Sequence, residues 1–455
     1  MNFIFIMSDS FRFDNLGCYT KNNGRLKLPT PNGPVKTPNL DGFAQSATIF
    51  DKAYAGSFPT IPNRKDILKG MMRPYNIWGA LEPEENTFIA ELGKAGYTTQ
   101  LINDTPHLMK NGTNFDRDFD AWDWVRGQEV DRLSCIQFEI DGDPKKNRRH
   151  PKVKQINYGQ HSANMAIFRY YEQDWCCAQT MTRAAEWLER NYKRIDKFCL
   201  YLDTFDPHEP FDAPKWYEDM YNPDYKGHAY RYPVYGRANL YTAAEQRHIR
   251  AMYAAEVSLV DRWIGHLLDS VERMGLLDTT CIIFASDHGY ASGDHGWIGK
   301  NVVPLYEEIV HIPLLIRLPG QTKTYRVKSI VQPYDIAATI LDLAGVKKPK
   351  EMNGISLKAA LKKKPLKTQP YAFTCGANML AITSRDWSLQ FPWIRNVKRS
   401  RAKPELFHLP SDPNQTKNVL HKNLAQARKM WEAHEAFLAE AGVAEEDEEL
   451  HPPRP

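Results

Sequence analysis

Runs of consecutive apolar residues alternate with helix-period segments along most of the chain. The runs predict strands at 2–7 (NFIFIM), 98–102 (TTQLI), 198–204 (FCLYLDT), 281–287 (CIIFASD) and 313–318 (PLLIRL). The periodic segments predict helices over 84–94, 177–192, 243–274 and 334–344. The third opens on Thr242 with Glu245 three residues on, a pair that satisfies two orphan backbone donors reciprocally. Nearly continuous apolar strands alternating with helices predict a large, mostly parallel α/β sheet covered on both faces. The polar, basic stretch 140–165 reads as an insertion loop. Beyond 366 the alternation stops: AITSRDWSLQFPW and PELFHLPSD read as antiparallel strands, and 421–441 as a closing helix. The expected division is an α/β domain over 1–365 and a small antiparallel-sheet-plus-helix subdomain over 366–455, with a frayed acidic tail.

Composition narrows the picture. With 42% hydrophobic residues in 455, the chain can fill a sizeable core and is not disordered. Its 59 basic and 55 acidic residues nearly cancel, to a net charge of +4. That balance gives no electrostatic case for nucleic acid or a membrane surface, and no apolar run is long enough to span a bilayer. Seven scattered cysteines without a CxxC argue against a disulfide framework or a thiolate zinc site. They suit a reducing compartment, so a cytoplasmic location is expected, with a periplasmic or secreted one if a signal has been removed. The aromatic stretches at 119–129 and 391–395 suit either a sugar or aryl site or plain core. Oligomeric state has no signature here.

Three predicted strands end in polar residues: Asp9 and Ser10, then Asp203 to His208, then Asp287 and His288. In open α/β sheets ligands bind just beyond the carboxyl ends of strands, so these groups meet at one edge. Each has a plainer role when taken alone. An aspartate at a strand end caps a helix, and an Asp-His pair or His208 serves structure as readily as chemistry. Together, Asp9, Asp287 and His288 are better explained by a shared cation, because uncompensated carboxylates repel. Lys300, thirteen residues past Asp287, is a point charge for an anionic oxygen. Thr60 stands in PTIPNR, just before a helix that is expected to begin near Arg64. It reads as a helix cap, or as a nucleophile whose hydroxyl a cation acidifies.

Six stretches, in order, resemble the sulfatase family of the alkaline phosphatase superfamily over nearly the whole chain. They are FIMSDSFRFDNLGCYT, TPNLDGFAQSATIFDKAYAGS, YLDTFDPHEPF, FASDHGYASGDHGWIGKNVVPLYEEIVHIPLLI, VQPYDIAATILDLAGV and ELFHLPSDPNQTKNV. The resemblance implies Asp9, Thr60, Asp287 and His288 around one divalent metal, with Thr60 at the nucleophile position. It implies that Arg64 steadies the nucleophile, and that His208, Lys300 and more weakly His295 contact the transferred group.

The chain departs from the family pattern at three places. Where the family has cysteine or serine matured to formylglycine, this chain has Thr60, so no formylglycine is expected. The paired aspartates of the first strand are here Asp9 and Ser10. With His288 as a nitrogen ligand, Mn, Zn or Fe is favoured, while Ca or Mg stays open. A Lys-x-His pattern is replaced by NDTPH, which makes Asp104, Thr105 and His107 candidate substrate contacts. A threonine ester cannot break down by collapsing to an aldehyde, so water must attack the central atom. The expectation is a hydrolase of phosphate or phosphonate esters, diesters included, with a small-molecule or carbohydrate substrate. The alternatives are sulfate ester hydrolysis and an inactive relative that binds an anionic glycan.

Overall fold

The computed structural model describes residues 1–442 apart from 21–29, 73–75, 111, 135–150, 154, 302–303, 377–378 and 393–402, and apart from the side chains of 155–158 and 168. Its strands are β1 (Asn2–Ser8), β2 (Thr48–Ala53), β3 (Thr98–Asn103), β4 (Ala121–Trp124), β5 (Phe198–Thr204), β6 (Gly236–Arg237), β7 (Thr280–Ser286) and β8 (Ala291–Ser292). They continue with β9 (Trp297–Gly299), β10 (Leu314–Arg317), β11 (Tyr325–Val331), β12 (Tyr371–Gly376), β13 (Met379–Ser384), β14 (Trp387–Pro392) and β15 (Glu405–His408). Eight form one sheet in the order β11-β2-β10-β7-β1-β5-β3-β4. Only β10 runs against its neighbours β2 and β7; the remaining pairs are parallel.

Alternation along the central strands feeds two cores. Ile4, Ile6, Leu200, Leu202, Ile282 and Phe284 face one, packed by the helices Cys176–Asn191 and Ala243–Arg273. Phe3, Phe5, Met7, Tyr201, Ile283 and Ala285 face the other, packed by Thr60–Lys69, Phe88–Lys94 and Asp335–Ala344. Because side chains alternate with period two, the same parity decides which face a polar residue serves at each strand end. Each buried phenylalanine here stabilises by about 1.5–3 kcal/mol. The helix Ala243–Arg273 starts on the expected reciprocal cap, with Thr242 N–H donating to Glu245 (2.7 Å) and Glu245 N–H to the Thr242 hydroxyl (3.3 Å).

Two expectations are corrected. Residues 155–168, taken for part of a loop, form a helix; residues 140–150 lie outside the described residues. Its buried side mixes the polar His161 and Asn164 with Ala163 and Met165, which hid the helical period. His161 pairs with Asp212 at 2.7 Å, and Asn164 donates to the carbonyls of Gly127 (2.9 Å) and Asp131 (2.6 Å). The other helix begins at Thr60 itself, with Pro59 in the cap position and no side chain capping it. Thr60 is therefore the first helical residue and not the cap, and the apolar Ile61 and Pro62 belong to its first turn.

Beyond residue 370, β12, β13, β14 and β15 form an antiparallel sheet covered by the helix Leu424–Glu440. This sheet grips the turn before Thr60. Phe58 N–H donates to the Cys375 carbonyl at 2.8 Å, Cys375 N–H to Gly56 at 3.2 Å, and the Thr374 hydroxyl to Ala55 at 2.6 Å. At Gly376 the approach is so close that a Cβ would lie 2.4 Å from the Phe58 carbonyl oxygen. The start of the Thr60 helix is thus fixed from both subdomains.

Candidate active site

β1 and β7 are adjacent and parallel, in register from Asn2 opposite Thr280 to Ser8 opposite Ser286. The residues after them, Asp9 and Asp287, consequently emerge side by side. Ser10 holds them there. Its φ of 62° is left-handed, a conformation that strains a non-glycine residue. The turn aims its N–H at Asp287 (2.9 Å) while its hydroxyl donates to Asp9 (2.9 Å). Lys300 donates to the Ser10 hydroxyl at 3.0 Å and lies 3.5 Å from Asp9.

Arg64, one helical turn after Thr60, is fully buried beneath this pair. Its Nη1 contacts Asp9 at 3.0 Å, the Thr60 carbonyl at 3.4 Å and also Asp287. Its Nε and Nη2 form a two-point pair with Asp203 at 3.0 and 2.9 Å. Asn63 donates to the main-chain carbonyl of Asp287 at 3.2 Å, and the Phe58 ring lies 4.8 Å from the His288 ring. Thr60, 3% exposed, is thereby bracketed by neighbours that touch Asp9, Asp287 and His288.

Asp9, Asp287 and His288 are buried, and one ligand atom from each lies within 4.8 Å of the others. His288 Nδ1 donates to the Gly289 carbonyl at 2.9 Å, which leaves Nε2 as the lone-pair nitrogen. That Nε2 is buried without a hydrogen-bond partner, 3.5 Å from Asp287 and 3.9 Å from Asp9. Burial, then Lys300, hold the imidazole well below its usual pKa, so it is neutral and able to ligate. Burial alone would raise Asp9, but Lys300, Arg64, His208 and His288 outweigh it and keep the carboxyl well below its usual range. Asp287 is pushed up to about 7 by burial and then by Asp9, with Arg64 and Lys300 opposing. Burial would lower Arg64; Asp203, Asp287 and Asp9 overcome that and keep it charged. An orphaned imidazole nitrogen facing two close carboxylates fits a divalent cation.

The sulfatase family profile matches residues 1–346, and the profile of the C-terminal region of N-sulphoglucosamine sulphohydrolases matches 293–437. The chain belongs to the sulfatase family. It is therefore a hydrolase acting on ester bonds, in a family whose members carry a divalent metal. Arylsulfatase K of Mus musculus is 26% identical, covering 92% of this chain and 76% of its own. N-acetylglucosamine-6-O-sulfatase of Bacteroides thetaiotaomicron is 28% identical, covering 79% and 70%. Among solved structures, the phosphonate monoester hydrolase of Agrobacterium radiobacter superposes with a TM-score of 0.72 at 20% identity, covering 97% of this chain and 96% of that one. A structure in complex with D-glucosamine-2-N,6-O-disulfate gives 0.71 at 21% identity, with 99% coverage of both. These two likenesses establish the sulfatase fold.

The remaining candidates fall into two groups. His208 lies within electrostatic reach of Asp9, Lys300 and His288, and its Nδ1 hydrogen-bonds the Glu209 carbonyl at 2.5 Å. Burial, opposed by Glu209, lowers its pKa. Thr105 donates to Asp203 at 2.7 Å, so it supports the partner of Arg64. His107 pairs through Nε2 with Glu129 at 2.8 Å.

Asp104 and His295 are committed elsewhere. Asp104 accepts from the hydroxyls of Thr180 (2.8 Å) and Thr204 (2.9 Å) and from Phe205 N–H (2.5 Å), on the face away from Arg64. His295 stacks on Tyr306 and bonds Glu308 (2.6 Å) and the Asn414 carbonyl (2.7 Å) with its two nitrogens. Their polar atoms tie structural elements together. Sequence reasoning missed Asp203 as the fixed partner of Arg64. The signal was its parity with Tyr201 and Met7, which puts it on the face of the Thr60 helix.

No helix among the described residues is long and apolar enough to cross a membrane. The six described cysteines are free thiols; Cys135 lies outside the described residues, as do Trp393–Arg395 of the second aromatic stretch.

Proposed function

We propose that the chain is a divalent-metal-dependent hydrolase of phosphate or phosphonate esters, with unmodified Thr60 as its nucleophile. The observation that carries this reading is the residue heading the Thr60–Lys69 helix. A threonine stands there while Pro62, Arg64 and Lys300 of the family pattern remain. An alcohol without an adjacent aldehyde forms an ester that only attack on the central atom can break, and phosphorus accepts such attack. The hard carboxylates of Asp9 and Asp287 with the His288 nitrogen suit manganese, zinc or iron.

Asp9, Asp287 and His288 would hold the cation, which would supply positive charge to acidify the Thr60 hydroxyl and to offset the charge of the ester. Thr60 Oγ passes its proton to solvent water and attacks phosphorus in line with the leaving oxygen, whose bond to phosphorus breaks. The leaving oxygen takes a proton from Nε2 of His208, since Nδ1 is held by the Glu209 carbonyl. An arriving anion raises the depressed pKa of His208 and so loads that nitrogen with its proton. Lys300 offsets negative charge on the transferred group, and Arg64 keeps Asp9 and Asp287 in place. Water then attacks phosphorus, cleaves its bond to Thr60 Oγ and restores the hydroxyl.

The second reading, hydrolysis of sulfate esters of a sugar, is favoured by the sulfatase names of the relatives. One set of experiments separates the readings: metal analysis of the purified protein, then phosphate, phosphonate and sulfate ester assays of wild type and Thr60→Ala. Turnover of phosphorus esters, lost in Thr60→Ala, with a phosphorylated Thr60 peptide by mass spectrometry, is the expected result. Turnover of sulfate esters alone would establish the second reading. No turnover with metal bound would leave an anion-binding relative.

A further inference from the structure

We propose that the cavity between the β2–β11 edge of the large sheet and the C-terminal subdomain binds a nucleoside monophosphate, at a place distinct from the ester-cleaving centre. Its volume is about 700 Å³, within the roughly 300–1,000 Å³ of small-molecule sites. Among the described residues that line it there is none of Asp9, Thr60, Arg64, Asp287, His288 or Lys300. The short helix Glu307–Val310 stands between the two places. Glu307, with His311 just beyond the helix, lines the cavity, while the Ile309 carbonyl accepts from Gly289 N–H at 2.8 Å, next to His288.

The charges of the lining are unequally matched. Asp51 is held by Arg326, whose Nε lies at 2.9 Å, and Glu307 by His311 at 2.8 Å. Asp386 lies 3.9 Å from Arg385. Lys52 and Lys328 also line the cavity, and neither pairs with a carboxylate among the described residues. The Lys52 ammonium reaches the Tyr54 hydroxyl at 3.5 Å. Ile330, two residues after Lys328, is the strand partner of Lys52, so the two ammonium groups come from neighbouring strands. Two uncompensated ammonium groups on one wall suit a phosphate dianion, which lysine holds as a point charge.

The rest of the lining selects what carries that phosphate. The large domain contributes Phe13, stacked on His311 at 3.7 Å, and Tyr19, whose ring centre lies 5.9 Å from the Arg326 guanidinium. The C-terminal subdomain contributes Leu409, Pro410 and Pro413. A flat heterocycle fits between such apolar walls. Its amines and the hydroxyls of its ribose donate to Asp51, Glu307 and Asp386, whose carboxylates each accept several hydrogen bonds. Inorganic phosphate leaves the apolar walls wet and most of the volume unfilled. A fatty acid brings one charge, and its chain desolvates the three carboxylates without offering a donor.

The test is calorimetric titration of the metal-loaded full chain with AMP, GMP, CMP and UMP, and with adenosine and inorganic phosphate as partial probes. A Thr60→Ala background keeps ligand turnover from adding heat. At least one nucleotide is expected to bind, and the double variant Lys52→Ala/Lys328→Ala to weaken it about tenfold or more. Pro410→Asp, at an exposed position of the other subdomain, brings a negative charge to the same cavity and should weaken the nucleotide as well. Both changes made in the Thr60 protein should leave ester turnover within about twofold, because no lining residue reaches the ester-cleaving centre. Binding of no nucleotide overturns the proposal. So does nucleotide binding that survives either variant when circular dichroism shows that variant folded. Nucleotide binding lost in Lys300→Ala but kept in the cavity variants belongs to the ester-cleaving centre, and overturns it too. Inorganic phosphate or adenosine that binds as tightly as the best nucleotide, and is weakened by the same variants, refutes the nucleotide as the occupant.

Discussion

The two halves of the sheet's carboxyl edge are built on opposite principles. At the ends of β1 and β7, charges are brought together with a valence left open. His288 Nε2 has no partner, Asp287 is pushed up to about 7 by burial and Asp9, and a single guanidinium holds both carboxylates. At the ends of β3 and β5, Asp203 closes on Thr105 and on Arg64, while Asp104 collects three donors on the opposite face. An acidic residue at a strand end thus has two physical fates. Where donors saturate it, it is scaffold; where they do not, a ligand completes it.

Arg64 joins the two halves, so its removal is expected to have the largest effect. Arg64→Met leaves Asp9, Asp203 and Asp287 buried without their cation and should cost about 3–5 kcal/mol in denaturant unfolding under chelator. Adding a divalent cation should restore part of this, because the ion takes over two of the three carboxylates. A variant as stable as wild type in chelator would show that the halves are not coupled through this residue. Thr60→Ala should cost on the order of 10⁴-fold in kcat/KM with stability within about 1 kcal/mol of wild type. A loss below tenfold would move the nucleophile elsewhere. Thr60→Cys restores the family's cysteine before Ile-Pro-Asn-Arg, and shifts the preference toward sulfate esters only if the cysteine is matured.

The open half was legible in the sequence, and the closed half was not. Asp9, Asp287 and His288 each follow an uninterrupted apolar run, and parallel register carries such residues to one edge without further information. The fates of Asp104 and His295 depend on partners that arrive from distant segments, the donor Thr180 in one case and the accepting carbonyl of Asn414 in the other. No local pattern announces such partners. The same holds for β2 and β11, where Asp51, Lys52, Arg326 and Lys328 interrupt the apolar period. Asp51 and Arg326 pair with each other across those two strands, a contact that makes both tolerable and that neither stretch reveals alone. The start of the Thr60 helix was misplaced because proline at its third position resembles a preceding turn. Proline is in fact compatible with a helix's first turn, where its missing N–H has no partner to lose.

Asp66 offers a smaller and pH-dependent test of how firmly the nucleophile helix is held. Burial pushes its carboxyl up to about 7, although Asn76 and Ser57 donate to it and oppose the shift. A carboxyl whose folded pKa is raised favours the folded state fully below its unfolded value of 3.8, and this contribution is lost as pH climbs through about 7. At most about 4 kcal/mol is involved, at roughly 1.4 kcal/mol per pH unit. Wild type should therefore lose stability between about pH 4 and 7 relative to Asp66→Asn, whose own baseline is lower because an amide cannot accept from every donor. Parallel stability–pH curves for the two proteins would refute the assignment.

The smallest expected effect decides whether the closed half is scaffold at all. Burial, then Asp206, raise the pKa of Asp104 well above its ordinary value, so a proton on it is favoured in the folded state. An amide has nearly the shape of that protonated carboxyl, and Asp104→Asn keeps one carbonyl oxygen for the hydroxyls of Thr180 and Thr204 or for Phe205 N–H. One or two of the three hydrogen bonds are lost, which should cost about 1–3 kcal/mol in unfolding. KM for the ester should stay within twofold of wild type, because the carboxylate faces the helix Cys176–Asn191 and not the Thr60 helix. A raised KM with unchanged stability would reverse both halves of that statement. Asp104 would then touch substrate, and saturation by donors would no longer separate scaffold from site along this edge.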